Sequence, residues 1–232
     1  MNQEEMLKLT ELPKLTKKDT FTFGCNQCGK CCKNRDGDNA IMLTPLDVFK
    51  IAKYLKMEVG DFLRKYCVGY CGEYSKLPIA ILKAKAYEGV CPFFKNECTI
   101  HSVKPAVCAL FPLDRMSVYG TKELSYFKQP DVLCGNKTKH TVEEWLSEFN
   151  MLEEEKFTIL WQQKTGDLSI PLIKLYEKHP NSIIGDFIFL GAILYMNYDT
   201  EKDFMPQFED NCRIATKVLE KAKTLKEIKD WS

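Results

Sequence analysis

The segment FGCNQCGKCC brings Cys25, Cys28, Cys31 and Cys32 into eight residues, a density expected of metal ligands. A second group, CPFFKNECTIHSVKPAVC, adds Cys91, Cys98 and Cys108, and Cys134 follows alone. Thiolate is a soft, strongly donating ligand suited to Zn²⁺ or iron–sulfur clusters, and a CxxC spacing lets two sulfurs reach one centre across a tight turn. Eight of the eleven cysteines therefore stand where metal ligands are expected.

Cys31 and Cys32 are neighbours, and neighbouring side chains diverge in both extended and helical backbone, so the two need not serve one metal atom. Two arrangements remain open: two four-thiolate centres using all eight cysteines, or one 4Fe-4S cluster with four ligands and the other thiols structural or exchangeable. Gly24 and Gly29 permit sharp turns that bring N–H groups close to sulfur, and Lys30, Lys33 and Arg35 offset thiolate charge. Phe21, Phe23, Phe93, Phe94 and Phe111 lie beside the cysteines as core residues or as a screen against water. Cys67 and Cys71 are one helical turn apart, a spacing that lets both face one centre, but the preferred reading is two buried small hydrophobes, as for the isolated Cys212. His101 is a candidate to replace one thiolate in a zinc site, with a surface or structural histidine as the preferred reading. Gly24 to Lys30 matches GxxxxGK, but Cys31 follows where a P-loop needs Ser or Thr for Mg²⁺. GxGxxG, HExxH, GxSxG and the CxxxCxxC of radical S-adenosylmethionine enzymes are absent from the sequence.

CxxCxxCC, a Cys-Pro-aromatic segment and C-x-I-x-x-x-K-P-x-x-C-x-x-F-P in this order resemble the CxxCxxCC family of zinc- or iron-chelating cysteine-cluster proteins. The resemblance runs from about Phe21 to Cys134 and includes IMLTPLDVFKIAKYL after the first cysteines. Three positions depart from the family pattern: His101 replaces Tyr, Lys104 replaces Arg before Pro105, and Ala109 replaces Arg after Cys108. Lys lacks the bidentate fork of Arg, so anion contacts there differ. The resemblance implies a metal site built from Cys25, Cys28, Cys31, Cys32, Cys91, Cys98, Cys108 and Cys134, with an iron–sulfur cluster or Zn²⁺ as cofactor. It extends to lysine N-methylases acting on flagellin that carry a similar cysteine domain, which makes protein-lysine methyl transfer one expected activity beside a redox or metal-handling role. It assigns nothing beyond Cys134.

The chain has 232 residues, 45% of them hydrophobic, and a formal net charge of +1. That balance removes the electrostatic footprint nucleic-acid binding needs. MNQEEMLKLTELPKLTKK contains acids and no continuous apolar core, so it does not read as a secretory signal. A cytoplasmic protein is expected, and in that compartment cysteine spacing points to metal binding over disulfides. The apolar tract Ile183 to Met196 is too short to span a membrane, contains Asp186, and reads as a buried helix. The expected partners are therefore a metal and a protein substrate or docking partner, without nucleic acid or membrane.

The elements that must position these cysteines follow. Thr44 caps a helix to Lys56 with Pro45 at its first position, and a second helix opens at Gly60-Asp61 and closes near Gly69 or Gly72; the pair would form a hairpin beside the cysteine loop. LPIAILKAKAY reads as a strand, and SVYG and ELSYF, from Ser117 and Glu123, as further short strands. TVEEWLSEFNMLEEEKFTILWQQ reads as one long helix with a Thr141–Glu144 capping box, and two more helices are expected near Asn181–Asn197 and Asp203–Lys229. The expected class is α+β, mostly helical. It comprises a polar lead-in over 1–20, a cysteine-cluster domain over 21–140, and a helical region over 141–232 packed on it. An interaction module, with zinc holding the amino-terminal half together while carboxy-terminal helices dock a partner, is the remaining reading.

Overall fold

The computed structural model describes residues 11–35, 37–85, 89–130, 132, 134–178 and 188–229. The architecture is α+β and mostly helical, with short antiparallel strands concentrated before residue 142. Two compact units form, one from Met1–Ile41 with Leu82–Gln162, the other from Met42–Ile81 with Gln163–Ser232.

In the first unit β1 (Thr20–Gly24) alternates from Thr20 to Phe23, burying Phe21 and Phe23 while Thr20 and Thr22 face solvent, as a half-buried strand requires, and Gly24 after them is buried as well. Its antiparallel partner is β9 (Asn136–Thr141), in a register that sets Phe21 opposite His140 and Gly24 opposite Asn136. Between them in sequence lie the hairpin β5 (Phe94–Lys95) and β6 (Glu97–Cys98), the short helix α3 (Ala106–Leu110), and the hairpin β7 (Leu113–Ser117) and β8 (Leu124–Lys128). Helix α4 (Val142–Glu148) follows β9 directly. Thr141 Oγ1 accepts the Glu144 N–H at 3.1 Å and the Glu144 carboxylate accepts the Thr141 N–H at 2.7 Å, the expected capping box. Trp145, 1% exposed, anchors the core: its ring meets Phe21 and Phe23 edge-on, and its indole N–H donates to Leu110 O at 3.1 Å.

The second unit contains β2 (Met42–Leu43), α1 (Pro45–Tyr54), α2 (Val59–Tyr66), β3 (Cys67–Cys71) and β4 (Pro78–Leu82), whose sheet order is β2-β4-β3. It also contains a π-helical turn at Ala192–Met196 and α6 (Phe204–Lys229). Helix α5 (Glu154–Lys178) begins in the first unit and ends in the second. Thr44 caps α1 with Asp47 completing a capping box. Phe49, Tyr198, Phe204 and Phe208 build an aromatic core, and the buried Asn211 is satisfied by the side chain and carbonyl of Asn197 at 2.7 and 2.9 Å.

The structure corrects three expectations. The long helix from Thr141 is two helices, because Asn150 (φ 57°) closes α4: the Met151 N–H reaches Leu146 O at 2.8 Å and the Asn150 N–H reaches Ser147 O at 3.3 Å, a Schellman closure. Cys67 and Cys71 lie on a strand instead of one helical turn; a spacing of four in a strand separates them by roughly 13 Å. Of SVYG only Ser117 is in a strand, as the last residue of LDRMS, and Val118–Gly120 lie in the connection of the β7–β8 hairpin, with Gly120 at φ 82°. Of the helix expected near Asn181–Asn197, residues 181–187 lie outside the described residues, as do 1–10 of the lead-in and 86–87 of LPIAILKAKAY. Among the described residues no helix is long and apolar enough to cross a membrane.

Candidate metal centre

Cys25 follows β1 immediately. The chain then turns through Gln27 (φ 53°) and Gly29 (φ 74°) into a single 3₁₀ turn, Lys30–Cys32, closed by the Cys32 N–H on Gly29 O at 3.0 Å. Left-handed backbone at Gly29 and the absence of a side chain are both used, since a Cβ there would fall 2.0 Å from the Phe94 ring. Arg35 Nε donates to Cys31 O, fixing the far side of the turn.

The second group docks on the first through the backbone: the Cys91 N–H donates to Cys32 O at 2.8 Å and the Arg35 N–H to Gly89 O at 2.6 Å. From Cys91 a turn closes with the Phe94 N–H on Cys91 O at 3.1 Å, and the β5–β6 hairpin then sets Cys98 opposite Phe94. The Phe93 N–H is directed at the Cys91 sulfur and the Ile100 N–H at the Cys98 sulfur, each two residues ahead of its thiol. Such contacts stabilise thiolate charge. Helix α3 carries Cys108, and Cys134 arrives with Gly135 (φ 90°), where a Cβ would meet the Phe23 ring and Gly24 O.

All eight cysteines named from the sequence line one cavity of about 360 Å3 in the first unit. Cys67, Cys71 and Cys212 do not line it, and the buried positions of Cys67 and Cys212 agree with a packing role. All eleven cysteines lie among the described residues, and none forms a disulfide. Phe23, Phe94 and Phe111 line the cavity, while Phe21 and Phe93 are buried beside it. Residues 24–135 match a family model named CxxCxxCC, described as “Putative zinc- or iron-chelating domain”. Residues 24–135 are thus similar to that family over just under half of the chain. An uncharacterized protein of Methanocaldococcus jannaschii is 30% identical over 112 residues, 46% of this chain and 53% of the relative, so the match spans about half the length of that relative. No solved structure matches.

The electrostatics of the cavity follow from crowding thiols into a partly buried space. Burial pushes the Cys108 thiol up to about 12 and Cys134 up to about 11, with neighbouring thiols adding to both, and it raises Cys91 and Cys98. Cys32 donates to Cys31, which raises Cys32 and lowers Cys31, and Arg35 and Lys104 lower Cys31 further. A coordinated cation inverts this pattern by deprotonating the thiols that bind it.

The donor chemistry fits a thiophilic metal. No Asp or Glu is among the described residues of the cavity wall, which disfavours Mg²⁺, Ca²⁺ and Mn²⁺. Lys104 is 6% exposed, its ammonium lies 3.7 Å from the Phe149 ring centroid, and no carboxylate among the described residues forms an ion pair with it. A buried cation so placed favours an anionic metal–thiolate group. His101 also lines the cavity, with its Nε2 buried and without a hydrogen-bond partner among the described residues. The burial of Lys104 was invisible in sequence, where it registered only as an Arg replacement; its place between Cys98 and Cys108 was the one available signal. Among the described residues, no three His, Cys, Asp or Glu side chains already stand close enough to hold one ion.

Proposed function

We propose that the CxxCxxCC domain holds an iron–sulfur cluster through cysteine thiolates of this cavity, in a protein of a reducing compartment such as the cytoplasm. The observation that carries the reading is the convergence of eight thiols on one cavity of about 360 Å3, with no Asp or Glu among the described residues of its wall. The two N–H groups directed at Cys91 and Cys98 and the cations Arg35 and Lys104 supply the hydrogen bonds and positive charge that stabilise such a cluster and set its potential.

When bound, the cluster supplies one-electron chemistry. The protein's part is to ligate it, to screen it with Phe23, Phe94 and Phe111, and to counter its charge. The test is purification without oxygen, a visible spectrum, and analysis for iron, zinc and acid-labile sulfide. Iron and sulfide with a broad charge-transfer band are expected. Stoichiometric zinc in a colourless protein would replace this reading with a structural zinc domain.

A further inference from the structure

We propose that Phe149, a residue outside the cavity wall, positions the Lys104 ammonium as the fixed counter-charge of the metal–thiolate centre. This inference rests on the metal-binding reading above, for an iron–sulfur cluster and zinc alike, and adds a residue that acts on the centre through another.

The local chain sets Lys104 in place. His101–Val103 forms a 3₁₀ turn, closed by the Val103 N–H on Ile100 O at 3.0 Å, and Lys104 follows it at φ −56°, ψ 151°. Pro105 favours that extended ψ, because its ring crowds the helical conformation of the residue before it. Residues three apart in a 3₁₀ turn stand on one side, and His101 and Lys104 both line the cavity. The Phe149 ring receives the pair. Lys104 Nζ stands 3.7 Å from its centroid, and the His101 ring meets it edge-on with centroids 5.4 Å apart. Phe149 is itself anchored: it ends α4 one turn after the buried Trp145, whose ring meets it at 5.8 Å. It does not line the cavity and lies beyond the residues that match the family model.

Two unmet polar groups on this wall point to a ligand. Lys104 is 6% exposed, and among the described residues its ammonium has the ring as a neighbour but neither a hydrogen-bond acceptor nor a carboxylate. One aromatic face covers one side of an ammonium, and a buried charge without an opposite charge is costly. His101 Nε2 is likewise buried without a hydrogen-bond partner among the described residues. The wall has no Asp or Glu among the described residues, so the negative charge available to Lys104 is that of metal-bound thiolates, which the metal keeps deprotonated. Seated over the ring, the ammonium cannot swing out to water without giving up the cation–π contact.

Competition of the anaerobically purified full chain with a chelator, followed by elemental analysis, measures how firmly the centre is held whether it contains iron or zinc. Lys104→Met keeps an unbranched stem and removes the charge; Phe149→Leu keeps apolar bulk and removes the ring. Each is expected to weaken retention roughly 10–100-fold, the usual effect of losing an outer-shell partner. Phe149→Tyr, which keeps the aromatic face, is expected to hold metal as the unaltered chain does, and Phe149→Leu should add nothing in the Lys104→Met background. In an iron–sulfur protein the midpoint potential should also fall in both weakened variants, because a nearby positive charge favours the more negative reduced form. Native retention in Lys104→Met overturns the inference even if a Phe149 variant fails to fold. So does a loss from Phe149→Leu that recurs in full in Phe149→Tyr or in the Lys104→Met background. A colourless zinc protein that weakens as expected would keep the inference and overturn the iron–sulfur reading, an iron–sulfur protein indifferent to both substitutions would do the reverse, and a chain that binds no metal would overturn both.

Discussion

Gly29→Ala tests the packing of the cysteine turn against the hairpin of the second group. The residue holds φ 74°, and left-handed backbone costs a residue with a Cβ about 1–2 kcal/mol. The added methyl would stand 2.0, 2.4 and 2.7 Å from Cζ, Cε2 and Cε1 of Phe94, against an ordinary carbon contact of roughly 3.5–4.0 Å. Phe94 is half-buried, so its ring can rotate outward, and the steric part of the cost is the burial it gives up, about 1 kcal/mol from half of a full Phe contribution. The sum is about 2–3 kcal/mol, or a fall in Tm of roughly 4–12 °C for a chain of this size. Differential scanning calorimetry of Gly29→Ala in the native background and beside Phe94→Ala separates the two parts. With the ring removed, only the backbone cost of about 1–2 kcal/mol should remain. A shift within error in the native background, or an equal shift in both, would refute the reasoning.

Three further outcomes follow from the same packing. Thr141→Ala removes one half of the capping box of α4 and should cost about 1 kcal/mol in urea unfolding. The Thr141 N–H and hydroxyl hold the Glu144 carboxyl below its usual range, so the box's contribution is present above the ordinary carboxylate pKa and lost as pH falls through the lowered one; an unchanged acid limb in Glu144→Gln, which removes the titrating group, would contradict this. Burial raises the Asp114 carboxyl, opposed by its 3.2 Å bond from Gln129 Nε2, so the folded state binds that proton more tightly and stability from this group declines as pH rises from the ordinary value through the raised one. Asp114→Asn should flatten that slope in Tm measured between acid and neutral pH, and an identical slope would count against it. Cys212→Ala, at a position 2% exposed and outside the cavity, should lower stability by about 1–2 kcal/mol with metal content unchanged, as elemental analysis would show.

The gathering of the eight cysteines was legible because ligand spacing is local: CxxC and Cys-Pro turns announce themselves within a few residues, and Thr44 and Thr141 announced their caps in the same way. Misreadings arose where a nonlocal partner decided the backbone. Residues 67–71 suit a continued helix, but pairing with β4 drew them into a strand. The pattern from Thr141 to Gln163 has helical periodicity throughout, and the break depends on Asn150 accepting a left-handed conformation while Met151 folds back into the core beside Leu146. The docking of the second cysteine group and of Cys134 on the first had no sequence signature at all. It depends on β1 meeting β9 across more than a hundred residues and on one hydrogen bond between Cys91 and Cys32.

The interleaving of the two units governs the order in which a nascent chain can complete itself. Cys25 to Cys32 leave the ribosome first, yet the segment Met42–Ile81, which belongs to the other unit, must emerge before Cys91 does, and Cys134 comes about a hundred residues after Cys32. At usual translation speeds that is roughly 5–20 s during which four closely spaced thiols lack their remaining partners. The growing polypeptide is thus open to oxidation and to capture of the wrong ion for as long as β9 is missing. Strand β9, which closes the ladder with β1, also ends that vulnerable interval.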